Sequence, residues 1–276
     1  MIPKLIFMFW KGERSRLVDA CVARVRKLHP GFEIEVLDAP LEEVGGYDSL
    51  SVQHQSDWVR ICAIERYGGI WLDSSCFLFK PVDDWVDMTS GRLQGFSAPF
   101  SDDCLENWAF AAPPNNDLVR AWKLQLKLAI ETGFDAFKEQ QRCLLGDHVI
   151  FDSMPYLTMH GCYILASRMT NMRADMTKSC DGPYKYLCKT NWDTARAIKY
   201  VMKNDPDPAV PFLKLRSAER RHVDEMKKDP DPAVSFLKLR SAERRHIQNY
   251  GSLQYVVLAV LSLVALVLLY AMRAKF

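Results

Sequence analysis

Residues 4–10 (KLIFMFW) are a continuous run of strand length, apolar but for its first residue, suited to a strand buried on both faces. The chain then alternates between two periods, and this alternation limits the fold more than any other feature. Leu17, Cys21, Val25 and Leu28 recur at helical spacing with Arg and Lys between them, and Pro30-Gly31 closes that helix. Phe32, Ile34 and Val36 then alternate with Glu33 and Glu35, the period of a strand. A second helix is expected from about 51 to 67, stopped by Gly68-Gly69, and Ile70-Trp71-Leu72-Asp73 is the next strand. Strand, helix, strand, helix, strand in this order implies an α/β class with a parallel sheet and helices on its faces. Ligands of such sheets bind at the carboxyl ends of the strands, which singles out Trp10, Asp38 and Asp73.

Beyond Pro81 the pattern is less regular. Short strands are expected at 95–98 and 108–112, and helices over 118–130 (Leu118, Trp122, Leu126, Ile130) and 192–202; residues 154–188 read only as mixed and loop-rich. Trp58, Trp122 and Trp192 read as core. With 36 Lys and Arg against 34 Asp and Glu, the charge balance speaks against a nucleic-acid binder that neutralises phosphates. Hydrophobic residues at 49% and charged residues at 25% exclude bulk disorder.

The chain lacks GxGxxG after its first strand, and GxxxxGK[ST], GxSxG and HExxH throughout, which argues against the common dinucleotide, P-loop, serine-hydrolase and zinc-protease chemistries. What remains is Ser56-Asp57-x-x-Arg60, then Gly68-Gly69, then Asp73-Ser74-Ser75. Asp57 and Arg60 are three apart, hence neighbours on one helix face and able to pair. The two glycines let the backbone turn sharply into a strand that delivers Asp73 to its carboxyl end. A carboxylate with neighbouring hydroxyls offers hard oxygen ligands, suited to Mg²⁺ or Mn²⁺, and such an ion neutralises a diphosphate leaving group. The plain alternative is an Asp that caps the following turn. Glu106 is open in the same way between a group near the reacting centre and an ordinary strand-end carboxylate. His148 and His160 read as satisfied or exposed, and Asp83-Asp84 and Asp102-Asp103 as solvated loops.

Taken in order, Ile2-Pro3-Lys4-Leu5-Ile6 with Phe9-Trp10-Lys11-Gly12, Ser56-Asp57-x-x-Arg60, residues 67–73, Glu106-Asn107-Trp108-x-Phe110-x-Ala112, and Asp181-Gly182-Pro183-Tyr184 with Tyr186-Leu187 resemble the capsular polysaccharide synthesis family. That family is related to the DXD-motif sugar-binding glycosyltransferases. The resemblance runs over about residues 2–190 and implies a GT-A (Rossmann-like) fold that moves a sugar from a nucleotide-diphosphate donor to a glycan, glycolipid or glycoprotein hydroxyl, with retention of configuration. It implies Asp73 and Glu106 as catalytic, Trp10, Asp38, Asp57, Arg60, Gly69 and Ser74 as donor-binding, and Asp73 with Ser75 as ligands of Mn²⁺ or Mg²⁺. Ser75 stands where the second acidic residue of Asp-X-Asp is usual, which lowers ligand charge and metal affinity. Two rivals arise from that departure and from the C-terminal region: a non-catalytic nucleotide-sugar-binding module, and a membrane scaffold.

The C-terminal region carries a near-exact duplication. Residues 205–222 (DPDPAVPFLKLRSAERRH) recur at 229–246, differing only at Pro211 against Ser235. Each copy opens with a stiff turn and continues into a basic, helix-prone segment. Residues 201–250 therefore read as a helical stalk, with Lys214, Arg216, Arg220, Arg221 and their second-copy counterparts available to anionic headgroups. No charge occurs from 251 to 272, long enough for a single transmembrane helix, and residues 273–276 form a short tail. The expectation is a body at 1–200, anchored to lipid by its C-terminus and facing the cytosol, its eight cysteines mostly reduced.

Overall fold

A computed structural model describes residues 1–203, 207–218, 220 and 221. In chain order the elements are β1 (Leu5–Phe9), α1 (Arg16–Leu28), β2 (Glu33–Leu37), α2 (Val52–Tyr67), β3 (Gly69–Leu72), β4 (Cys76–Leu78), β5 (Gln94–Ala98), β6 (Ser101–Ala112), α3 (Asp117–Thr132), α4 (Phe134–Gln140), α5 (Arg142–Leu145), α6 (Thr158–Thr170), β7 (Asp175–Lys178), α7 (Lys185–Lys189), α8 (Thr194–Lys203) and β8 (Phe212–Lys214). Six strands form one sheet in the order β2-β1-β3-β6-β5-β7, and β4 pairs with β8 in a separate ribbon.

The expected alternation is present. Ser15 caps α1 by accepting from the Val18 amide, Ser51 caps α2 by accepting from the His54 amide, and Gly68 ends α2 with its amide on the Ile64 carbonyl. β1 pairs in parallel with both β2 and β3. The sheet is mixed rather than wholly parallel, because β6 runs antiparallel to β3 and to β5. Helices α2, α3 and α6 enclose one core, which includes Trp58, Trp122 and Tyr163. The other core gathers α1, the β4–β8 ribbon, α7 and α8 around Met8, Phe77, Phe96 and Phe212. A half-core on each face of a twisted sheet is how an α/β domain buries both sides of its central strands.

Several expectations need correction. β6 begins at Ser101, not 108; Asp102 and Asp103 are exposed as expected but lie within the strand, Asp103 accepting from His148 at 3.1 Å. Within 154–188 lies α6, buried on every side from Thr158 to Ala166, so that it has no polar face to reveal its period. Trp192 is 37% exposed rather than core. Cys180 and Cys188 form a disulfide, while the other six cysteines are free.

The largest departure concerns the first repeat copy. Phe212, Leu213 and Lys214 pair antiparallel with Leu78, Phe77 and Cys76, and Val210, Phe212 and Leu215 are fully or almost fully buried. This part of the expected stalk completes the core of the domain, so the body does not end at 200. The second copy and the apolar run at 251–272 lie outside the described residues. Among the described residues no helix is long and apolar enough to cross a membrane.

His29 locks α1 to the start of the next layer and sets a pH dependence. Its Nδ1 lies 2.7 Å from the Val25 carbonyl and its Nε2 accepts from the Val82 amide at 2.9 Å, so the ring is neutral with the proton on Nδ1. Burial lowers its pKa below the ordinary 6.5. The unfolded chain then binds the extra proton first, so this contribution is full above the unfolded value and is lost as pH falls through it. Thermal melts from about pH 8 to about pH 5 are expected to show a steeper fall for the native chain than for His29→Gln; parallel curves would contradict this account.

Candidate active site

A cleft of about 880 Å³ opens at the carboxyl ends of β1 and β3, where the alternation places it. Phe9, Trp10 and Lys11 enter from β1, and Asp73, Ser74 and Ser75 from β3. Ser56, Asp57 and Arg60 come from α2, and Glu106 and Asn107 from β6. Of the residues selected from sequence, Trp10, Asp57, Arg60, Asp73, Ser74, Ser75 and Glu106 thus meet in one place. Asp38 and Gly69 do not line it. Asp38 is exposed just beyond β2. Gly69 opens β3 at the end opposite Asp73, with φ +94°, and a Cβ there would sit 2.6 Å from the Leu5 carbonyl oxygen. Close approach of β1 and β3 is what requires that glycine.

Arg60 is the hub. Its Nη1 donates to the Asn107 carbonyl at 2.8 Å and lies 3.2 Å from Asp57 Oδ1. Its Nη2 donates to Ser56 Oγ at 2.9 Å and lies 3.3 Å from Asp73 Oδ1. The guanidinium carbon stands 5.2 Å from the Trp71 ring centroid. Asp57 also accepts from Asn107 Nδ2 at 3.0 Å, and burial pushes its carboxyl up in spite of Arg60. Burial acts on Asp73 in the same sense. There the charges of Lys214 and Arg60, with hydrogen bonds from Lys214 and Trp71, outweigh it and hold the carboxyl below the usual carboxylate range.

Ser74 is spoken for by structure: its hydroxyl donates to the Phe9 carbonyl at 2.9 Å and ties β3 to β1. Glu106 and His160 are both buried, with Oε2 and Nε2 3.3 Å apart. The sequence offered no signal for that pair, because 54 positions separate its members.

Lys214 is the principal residue that sequence reading missed as a site group. Its Nζ lies 2.5 Å from Asp73 Oδ2 and 2.9 Å from Ser75 Oγ. Arg216, Ser217 and Arg220 of the same segment line the cleft as well. The short apolar alternation around Phe212 and Leu215 was the available sign that this segment is a strand and not a spacer.

A divalent ion fits this donor set poorly. Asp73 is the one carboxylate of the expected pair, both of its oxygens already face a cation, and the hydroxyl of Ser75 accepts from the same ammonium. Among the described residues no three His, Cys, Asp or Glu side chains converge as metal ligands. Mg²⁺ and Mn²⁺ need several oxygen donors, and two adjacent positive charges oppose their entry.

The profile of the family described as capsular polysaccharide synthesis protein matches residues 1–128, so the resemblance holds over that part of the chain, which includes every cleft residue up to Trp108. No curated protein sequence matches. Among solved structures, a glycosyltransferase involved in glycosylation of the major capsid of PBCV-1 aligns with TM-score 0.45 and 16% identity, covering 80% of this chain and 98% of that one. The glycosyltransferase GlyE of Streptococcus pneumoniae TIGR4 aligns with TM-score 0.41 and 10% identity, covering 88% and 64%. The galactosyltransferase LgtC, in complex with donor and acceptor sugar analogs, aligns with TM-score 0.39 and 14% identity, covering 70% and 82%.

Proposed function

We propose that this chain is a glycosyltransferase that moves a hexosyl or pentosyl group from a nucleotide-diphosphate sugar to a hydroxyl of a glycan, glycolipid or glycoprotein. One observation carries the reading: within the family-matched stretch, a cleft at the strand carboxyl ends joins Asp73, Arg60 and Trp10. Its lining holds five cations, Lys11, Arg60, Lys214, Arg216 and Arg220, against the carboxylates of Asp57, Asp73 and Glu106. An excess of fixed positive charge in a walled cleft suits an anionic diphosphate.

In the transfer, the bond between sugar C1 and the diphosphate oxygen breaks and its electron pair leaves with that oxygen. The acceptor oxygen forms the new bond to C1, and its proton passes to the departing phosphate. A retaining course needs no strong separate base, and Glu106 with His160 is then available to steady the sugar or the developing positive charge at C1. Arg60 holds Asp73 and Asp57 in position, and Trp10, with the Arg220 guanidinium 5.8 Å from its ring centroid, offers an aromatic face at the rim.

The apolar run at 251–272 supports attachment of the domain to a membrane, and the basic residues 238, 240, 244 and 245 before it support a cytosolic-facing body. The Cys180–Cys188 disulfide is the one observation that weighs against that orientation.

The test uses the full chain in detergent, because a break at 200 would remove β8 from the core. A panel of nucleotide sugars is expected to yield release of one nucleoside diphosphate, lowered on the order of 100-fold or more by Asp73→Asn with the fold retained. Binding of a nucleotide sugar without turnover would favour the non-catalytic binding module. Absence of both binding and turnover would sink the reading.

A further inference from the structure

We infer that Lys214 takes the place of the divalent ion, neutralising the leaving diphosphate as a fixed ammonium supplied by the first repeat copy. The inference rests on the glycosyltransferase reading and deepens it by making transfer independent of metal.

The geometry is specific. Lys214 sits on β8 opposite Cys76 of β4, and the Leu215 amide donates to the Ser75 carbonyl at 3.1 Å, so the strand is tied to the same turn that carries the Asp73-Ser74-Ser75 segment. Only 8% of Lys214 is exposed, and its ammonium lies between the carboxylate of Asp73 and the hydroxyl of Ser75. Those are the two side chains expected to bind a metal. An ammonium has three protons to donate, and Asp73 and Ser75 use two of them. The same strand-end segment brings Arg216, whose guanidinium carbon lies 4.9 Å from the Trp192 ring centroid, and Arg220, whose Nη2 donates to Ser217 Oγ at 3.2 Å. With Arg60 on the far side of Asp73, positive charge faces the place of the leaving group from two directions.

Ser75 is the compensating change that makes this work. An aspartate there would add a negative charge beside Lys214 and favour a divalent ion; a serine accepts one hydrogen bond and adds none. The duplication adds a practical point, since Lys238 occupies in the second copy the place that Lys214 holds in the first.

The experiment measures binding of nucleoside diphosphates to the full chain by calorimetry, in EDTA and in Mn²⁺, alongside nucleoside diphosphate release from the nucleotide-sugar panel. The variants are Lys214→Gln with Lys238→Gln, and Lys214→Arg as a charge-preserving check. The expected result is binding and release within about twofold of each other in EDTA and Mn²⁺, weakened on the order of 100-fold in the double variant and largely restored by Lys214→Arg. Binding or release that needs Mn²⁺ overturns the inference while leaving the glycosyltransferase reading intact. Metal-free binding lost in the double variant supports it even where no sugar is turned over. No nucleoside diphosphate binding under either condition overturns both. Should the double variant fail to fold, the comparison of EDTA with Mn²⁺ on the native chain decides alone.

Discussion

Replacing Arg60 by Met should be among the most damaging single changes in the molecule, lowering unfolding free energy by about 3–5 kcal/mol and abolishing nucleoside diphosphate binding. Arg60 is 5% exposed, and its guanidinium holds four acceptors at once, on Ser56, Asp57, Asp73 and Asn107. Without it Asp57, already raised by burial, keeps among the described residues the Asn107 amide alone, and the Asn107 carbonyl and Ser56 hydroxyl lose the Arg60 donor. Removing one partner of a buried pair costs more than the pair contributes, because the remaining charge stays desolvated. Arg60→Lys is expected to recover little, since a single ammonium does not span the fork that reaches two sides of the cleft. Denaturant titration with a binding assay on the folded fraction checks both halves. An unfolding midpoint within experimental error of the native chain would contradict this view of the hub.

The role of Arg60 is half legible in the amino-acid sequence. Its i,i+3 relation to Asp57 comes from helical spacing, and the strand-end position of Asp73 comes from the alternation of periods. Local pattern therefore locates one wall of the cleft. The opposite wall is hidden for reasons that differ by residue. The Glu106–His160 pair depends on β6 meeting α6, and α6 is buried all round, so no amphipathic stripe announces it. The first three residues of β6, Ser101 to Asp103, are polar and mostly exposed and do not resemble a strand. Lys214 is concealed by its context: repetition suggests a spacer, and a run of Lys and Arg suggests a solvated or lipid-facing surface. What overrides both is tertiary. β4 offers a short edge to which Phe212, Leu213 and Lys214 add, and burial of Phe212 beside Phe96 and Trp108 fixes the strand there. Gly69 and Asp38, expected as donor contacts, do not line the cleft, because a resemblance transfers motif positions and not the direction in which each residue faces.

Gly69 gives the sharpest separation between those two kinds of role. Gly69→Ala is expected to destabilise the domain by about 3 kcal/mol or more, since it combines a left-handed φ with contact against backbone. At φ +94° an L side chain is strained whatever the space, and here the new Cβ would lie 2.6 Å from the Leu5 carbonyl oxygen and 3.0 Å from its Cβ. Relief demands that β1 and β3 move apart, yet these strands are paired through Ile6–Ile70 and Phe7–Trp71 at the centre of the sheet. The damage would therefore appear as a lowered melting temperature, with donor affinity per folded molecule unchanged because Asp73 leaves the strand at its other end. A donor-contact role predicts the reverse, a native melting temperature with weakened donor binding. Gly31→Ala serves as the control, since an added Cβ there meets nothing within 4 Å, and it should stay within about 0.5 kcal/mol of the native chain. If Gly69→Ala melts with the native chain, the close approach of β1 and β3 does not constrain this position, and the assignment of Gly69 to the donor site has to be restored.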